Sequence, residues 1–486
     1  MHKLLRVPEL LFATFGYADQ LTRVACAATC KLWFDVAVAL LWSSCSTPHL
    51  TALLDILGPR ETVAQDGMVG GLYFKYVGSS IYRAHQCFIT QPTQDRWDRF
   101  YKYSSAVTSL DASWSDDLSL SAASLLAGIT HPTQGTYFPK LKQLYLSSRR
   151  EHDLISSTIF LQVSLTSLCL STHNYGSPNP PSIIKFASVV ADRCPCLKSL
   201  EIDLFDLPTF HTPLPAILSR MSCLKTLFLC DGLLVHNGML TAISRLKNLR
   251  SWEVLNDPPI AWPEGDFEND AFSRLDTLKG ATVSMGLLDF LARPTFPVDN
   301  LRRISVYIWD PTQILPFVTI MQNSRLEDLD LTVQVKVVIT DLLPISTLAH
   351  LQHLKISSGS MTITDQQLIL LLSGCKKLRR ISLSNSGEAP LTLRSVRFLV
   401  ENFAAIEVID IHIDAREIPE EDILRADLRG FVGDHAPAMK LCIPAREWGI
   451  GDAEKMEAWL FSLCKRCNKV VEFCSVEQIA RSVQPS

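Results

Sequence analysis

From residue 107 to residue 411 one short phrase recurs, apolar-x-x-apolar-x-apolar. Examples are LKQLYL from Leu141, LKSLEI from Leu197, LEDLDL from Leu326 and LRRISL from Leu378. The twelve starts fall at Val107, Leu141, Leu165, Leu197, Leu224, Leu249, Leu275, Leu301, Leu326, Leu351, Leu378 and Ile406, at intervals of 24 to 34 residues. The alternation that closes each phrase has period two and predicts a short strand with every second residue facing a core. Between phrases the spacing turns helical, as in Ser182–Arg193, Thr364–Cys375 and Thr392–Phe403, the last two opening on a threonine suited to an N-cap. One strand and one helix per unit cannot bury a face alone, so neighbouring units must stack into a parallel sheet.

This pattern resembles the leucine-rich repeat family over roughly three hundred residues. The resemblance implies an α/β solenoid with its parallel sheet on a concave side and helices on a convex side. One feature departs from the family. Its usual Asn or Cys ladder falls eight residues after each phrase start, where this chain has Arg149, His173, Phe205, Gly232, Asp257, Val283, Trp309, Gln334, Gly359, Ser386 and Asp414. The mismatch argues against the family's regular internal hydrogen-bond ladder and against an even curvature. The phrase from Leu275 is irregular, because Gly280 stands where its last apolar residue belongs. Beyond Asp414 the pattern fades, with a last strand expected near Met439–Ile443 and a capping helix carrying Met456, Trp459, Leu460 and Leu463.

The first fifty residues follow another pattern. Pro8 suits the first turn of a helix on which Leu11 and Phe15 lie one turn apart. A short helix is expected from Leu21 to Ala28, and a third from about Lys31 to Trp42. The third, KLWFDVAVALLW, is apolar nearly all round. If Leu32, Val36 and Leu40 face its two short neighbours, Trp33, Ala37 and Leu41 need another cover, from the repeats or from a second protein.

VPELLFATFGY followed by ADQLTRVACAATCKLWFDVAVALLW resembles the F-box, a three-helix module. The matching residues are Pro8 with an acidic neighbour, Leu11, Phe15, Cys30–Lys31–x–Trp33 and the closing Leu40–Leu41–Trp42. Val7 in place of a leucine, and Glu9 directly after Pro8, depart from the commoner form. Trp97–Leu110 further resembles the run that opens the repeats in F-box proteins of basidiomycete fungi. The resemblance implies a non-catalytic substrate-recognition adaptor of a Skp–cullin–F-box ubiquitin ligase. Val7, Pro8, Glu9, Leu10, Leu11, Phe15, Trp33, Leu41 and Trp42 would dock on the Skp adaptor, and through it on a cullin, while the repeats hold a target protein. The expected division is a three-helix module over 1–58, a connector over 59–104, the solenoid over 105–444 and a helical cap over 445–486. A repeat scaffold or inhibitor without any ligase role is the alternative.

Composition narrows the setting. A chain of 486 residues exceeds what one compact core usually serves, which stacking repeats resolve. A net charge of -4 argues against nucleic acid as the main partner, and no apolar run reaches the length of a membrane span. The fourteen cysteines lie mostly in apolar runs as small hydrophobes, and none of the eleven asparagines sits in an Asn-x-Ser/Thr acceptor. Pro8 and Glu9 stand where the apolar region of a signal peptide would begin, so the cytosol or nucleus is the expected compartment.

No phosphate loop, HExxH or GxSxG is present, and Gly449–Ile450–Gly451 is too short for a dinucleotide fingerprint. Cys464 and Cys467 have the spacing of a zinc pair but lack a second pair, so no metal and no cofactor is expected. Cys194, Cys196 and Cys375 precede phrases and are expected to pack beneath strands. What remains is the outward row of the strands, the third, fifth and seventh residues of each phrase. It offers Tyr145, Glu201, Asp203, Phe228, Arg303, Tyr307, Asp328, Asp330, Lys355 and Arg380 as the target-binding surface, a mixed-charge face with scattered aromatics.

Overall fold

The structure, a computed structural model, describes residues 7–65, 75–77, 80–113, 122–129, 135–147, 151–171, 180–203, 213–229, 237–254, 268, 270–385, 391–412, 438–442 and 472–474. The expected capping helix, Cys464 and Cys467, and most of the loops at 172–181 and 257–270 lie outside these residues. The chain divides into two units, Met1–Leu249 and Arg250–Ser486.

The first unit opens with α1 (Pro8–Gly16), α2 (Gln20–Ala27) and α3 (Lys31–Leu41). Asp19 caps α2, its carboxylate accepting from the Thr22 amide at 2.7 Å. Arg23 closes the end of α1 by donating to the carbonyls of Phe15 and Gly16 at 2.8 and 2.9 Å. The small core is Leu11, Phe15, Val36 and Ala37. Trp33 turns in against Phe15 with its ring edge-on, centroids 5.3 Å apart. The expected split of α3 into an inner and an outer stripe therefore fails, because a 3.6-residue period brings Val36 and Ala37 together at the interface.

A second correction concerns residues 44–57. The strand β1 (Ser44–Cys45) and the helix α4 (Thr47–Leu57) follow the three-helix cluster but pack on the repeats. β1 pairs in parallel with a repeat strand at Ser109–Ser113, and the Ser43 carbonyl accepts from the Thr108 and Ser109 amides at 2.9 Å. Leu50, Leu53, Leu54 and Leu57 of α4 are buried. The segment expected as a plain connector holds the antiparallel strands β2 (Arg60–Gln65), β3 (Lys75–Val77) and β4 (Ser80–Phe88). It ends in α5 (Gln94–Ser104), whose Trp97 and Phe100 lie in an aromatic cluster with Tyr137 and Phe138.

The repeat strands of this unit are β5 (Ser109–Ser113), β6 (Gln143–Ser147), β7 (Ser167–Ser171), β8 (Ser199–Asp203) and β9 (Thr226–Leu229). They form one parallel ladder that β1 heads. The second unit continues the same design with β10 (Ser251–Val254), β11 (Thr277–Val283), β12 (Arg303–Ile308), β13 (Asp328–Val333), β14 (His353–Ser358), β15 (Arg380–Asn385), β16 (Val408–His412), β17 (Ala438–Cys442) and β18 (Glu472–Cys474). β17 and β18 carry its parallel pairing past the fading of the phrase.

Backbone supplies the ladder that the missing asparagines do not. In each unit the carbonyl of a phrase's second residue takes two amides from the next repeat. Lys142 O accepts from Thr166 and Ser167 at 2.8 and 2.9 Å, and Glu327 O from Gln352 and His353 at the same distances. Three residues before the phrase, a turn closes each unit: Leu197 N donates to Cys194 O and Leu378 N to Cys375 O. Cys194 and Cys375 are buried there as expected, whereas Cys196, inside that turn, is exposed. Burial pushes the Cys194 thiol up to about 11 and that of Cys375 to about 12. The helices expected near Thr364 and Thr392 form as Asp365–Leu372 and Leu393–Asn402, each capped by its threonine. Asp365 then ties the two together, accepting from the Thr392 amide and hydroxyl at 2.8 and 2.7 Å.

Gly280 explains its irregular phrase. It stands at φ +73° in a β-bulge between Lys279 and Ala281, its α-carbon against the Val254 carbonyl. The bulge resets the alternation, so Val283 is buried and Thr282 with it. Beneath this point Trp252 stacks on Phe272, which adjoins Phe290 and Phe296.

Candidate functional site

Two surfaces are candidates, the helical N-terminus and the open face of the strand ladders. On the first, the residues expected to dock together separate. Val7, Pro8, Glu9 and Leu10 are exposed at the start of α1. Leu11 and Phe15 lie in the core with Trp33 on them, and Leu41 is half-buried. Trp42 faces the repeat side, its ring 5.4 Å from that of Tyr103 and 5.9 Å from His49. Beside it the Lys102 ammonium lies 4.3 Å from the Phe34 centroid. Part of the outer side of α3 is thus covered by α5.

The exposed apolar surface is elsewhere, on α1 and α2. Leu10, Phe12 and Val24 are about half exposed, Leu21 is 82% exposed and Tyr17 95%. Sequence reasoning passed over Phe12, Tyr17, Leu21 and Val24. The signal for two of them was there: Leu21 and Val24 lie three apart on a helix whose other neighbours are small or polar.

The expected target-binding residues all point out of the ladders. In the first unit the central outward row, read strand by strand, is Asp111, Tyr145, Cys169, Glu201 and Phe228. Asp203 stands two residues beyond Glu201 and accepts from the Ser171 hydroxyl at 3.3 Å. Cys169 donates to Glu201; burial, then the charges of Glu201, Asp203 and Asp111, hold its thiol firmly protonated. Burial likewise raises the Tyr145 phenol, with Cys169, Asp111 and Glu201 adding to it. The row beside it is neutral: Ser109, Gln143, Ser167, Ser199 and Thr226.

In the second unit the central row reads Glu253, Lys279, Ser305, Asp330, Lys355, Ser382 and Asp410 over β10 to β16, and its register continues through Lys440 and Glu472. Its neighbour brings Arg303, Asp328, His353 and Arg380 into register. Lys355 Nζ donates to Asp330 Oδ2 at 3.0 Å, His353 Nδ1 lies 3.6 Å from Asp328, and Ser382 donates to Asp410 at 2.9 Å. Arg380 lies 3.7 Å from Glu407, which also pairs with Arg379. Tyr307 is half-buried one row further along β12, and Trp309 is exposed just past it. Among the described residues no group of three or more His, Cys, Asp or Glu could hold a metal ion, and no helix is long and apolar enough to cross a membrane.

No protein-family model and no curated protein matches the sequence. Among solved structures the chain is similar to an internalin (inlF) from Listeria monocytogenes str. 4b F2365. The identity is 12%, with 67% of this chain and 86% of the internalin covered and a TM-score of 0.32. It is similar also to the LRR ectodomain of the plant membrane receptor kinase GASSHO1/SCHENGEN3 from Arabidopsis thaliana, in a complex with CASPARIAN STRIP INTEGRITY FACTOR 2. There the identity is 11%, 74% of this chain and 55% of the ectodomain are covered, and the TM-score is 0.22. The leucine-rich repeat architecture of this chain is read from its own ladders of Leu-lined parallel strands.

Proposed function

We propose that this chain is a protein-binding repeat scaffold that serves as the substrate-recognition adaptor of a Skp–cullin–F-box ubiquitin ligase. The observation that carries the proposal is the set of exposed apolar side chains Leu10, Phe12, Leu21 and Val24 on α1 and α2, with Tyr17 between the helices, although the cluster already has its own closed core. Five exposed large apolar side chains on two short helices suit a protein-docking surface. In this reading the helices dock on the Skp adaptor, the open ladder faces hold a target protein, and a separate enzyme transfers ubiquitin in the cytosol or nucleus. The chain itself performs no covalent chemistry.

A second reading, a repeat scaffold with no ligase role, is favoured by the contacts of Trp42 and Phe34 with α5, which tie the helices to the repeats. Isothermal titration against a purified Skp adaptor separates the two. Leu10→Asp with Leu21→Asp should abolish binding with unchanged circular dichroism, since docking anchors carry about 2 kcal/mol or more each. Because Leu11 and Trp33 lie in or against the core, their alanine variants report helix stability instead. A native chain that ignores Skp leaves the plain scaffold standing.

A further inference from the structure

The two ladders differ in how their outward charges are met. Across β10 to β16 of the second unit Glu253, Asp328, Asp330 and Asp410 share two adjacent rows with Lys279, Arg303, Lys355 and Arg380, four anions against four cations. In the first unit Asp111, Glu201 and Asp203 face outward, and no lysine or arginine occupies an outward position of β5 to β9. Glu201 and Asp203 are met by a thiol and a hydroxyl, both neutral donors. Tyr145 and Phe228 stand at either side of Cys169 and Glu201 in the same row, three strand spacings or about 14 Å apart. Both rings are partly exposed.

We propose that the outward face of the first unit, bounded by Tyr145 and Phe228 and centred on Glu201 and Asp203, receives a lysine- or arginine-bearing extended segment of a protein partner. The span from ring to ring fits about four extended residues. Cationic side chains would meet the carboxylates and lie across the ring faces, where a cation gains from both charge and ring quadrupole. Strands fix the platform, so little ordering accompanies binding. This inference rests on reading the open faces as protein-binding surfaces.

The test uses the full chain and two labelled heptapeptides, alternating Lys-Ser and alternating Glu-Ser, followed by fluorescence anisotropy. The lysine peptide should bind, more weakly as salt rises, and the glutamate peptide should not. Glu201→Gln with Asp203→Asn should weaken it about tenfold, the loss of two exposed charge pairs. Phe228→Ala should weaken it again, while Asp328→Asn with Asp330→Asn in the second unit should leave it within about twofold. Equal binding of both peptides, no binding of the lysine peptide, or equal effects of the two double variants would overturn the proposal. Skp capture is read separately: a chain that takes Skp but not the lysine peptide refutes this inference alone, and one that takes neither refutes both.

Discussion

The two units carry one backbone design and two kinds of face. In both, the second residue of a phrase lends its carbonyl to two amides of the next repeat, as Lys142, Thr166 and Lys198 do in the first unit and Asp276, Arg302 and Glu327 in the second. Residues at the first, fourth and sixth positions, apolar except Gly280, fill the interior. None of this constrains the outward residues, so they are free to diverge. In the second unit they form pairs across strands, Asp330 with Lys355 and Asp328 with His353. In the first they are carboxylates beside serine, a thiol and aromatic rings. A charge pair such as Asp330 with Lys355 satisfies itself and offers a partner little net attraction. Glu201 and Asp203, which pair with no cation among the described residues, keep their field, which steers and holds a cationic partner. A repeat protein can thus keep its stacking invariant and confine recognition to part of its length.

The largest effect is expected at the β-bulge of the second unit, between Lys279 and Ala281. Gly280 holds a positive φ against the Val254 carbonyl, a position no side chain can share without moving the strand. Gly280→Val should cost about 3 kcal/mol or more, the sum of left-handed strain and a displaced bulge over the Trp252–Phe272 stack. Limited proteolysis with fragments assigned by mass spectrometry should then cut Arg250–Ser486 and spare Met1–Leu249. Equal cutting of both would show that they unfold as one body.

Alkali should weaken the two units in the opposite order. A thiol whose pKa is raised by folding lends its full stabilisation below the unfolded value of 9.0 and loses it as pH climbs through the folded value. The first unit holds Cys45 at about 12, Cys194 at about 11 and the raised Cys169, whereas in the second, among the described residues, only Cys375 is raised, to about 12. At pH 10 each buried thiol surrenders about 1 kcal/mol. The first unit should therefore yield to an alkaline-active protease before the second. Cys45→Ala with Cys194→Ala should remove that order at the cost of small cavities, and an unchanged order would discard the thiol explanation.

How far the chain could be read before its structure depended on what each element owes to local pattern. The repeat strands announce themselves because leucines at fixed positions must face one core, and Thr364 and Thr392 mark helix starts because their hydroxyls cap amides. β1 escaped because two residues, Ser44 and Cys45, carry no periodicity; only its pairing with β5 makes it a strand. α4 was legible and was passed over: Pro48 opens it and Leu50, Leu53, Leu54 and Leu57 fall at helical spacing, and only the repeats as the cover of those leucines lay beyond the local pattern. Removing residues 1–58 as a module would thus strip Leu50, Leu53, Leu54 and Leu57 from the first repeat. On the candidate surfaces, the outward residues were legible by count along each phrase. Their pairing was not, because it depends on register between strands 25 or more residues apart in sequence.

The smallest effect tests the pairing itself. Asp330 has one oxygen on the Lys355 ammonium at 3.0 Å and the other buried without a hydrogen bond. Lys355→Met leaves that half-buried carboxylate without its cation and should cost about 0.5–1 kcal/mol at low ionic strength. In about 0.5 M salt, with the screening length near that of the pair's surroundings, most of the loss should vanish. Glu201→Gln in the first unit removes a charge that pairs with no cation among the described residues and exchanges one acceptor of the Cys169 thiol for another. Its effect on urea unfolding should stay within about 0.5 kcal/mol and be indifferent to salt. A cost for Glu201→Gln that matches Lys355→Met, and fades with salt in the same way, would mean that the first face is as internally paired as the second.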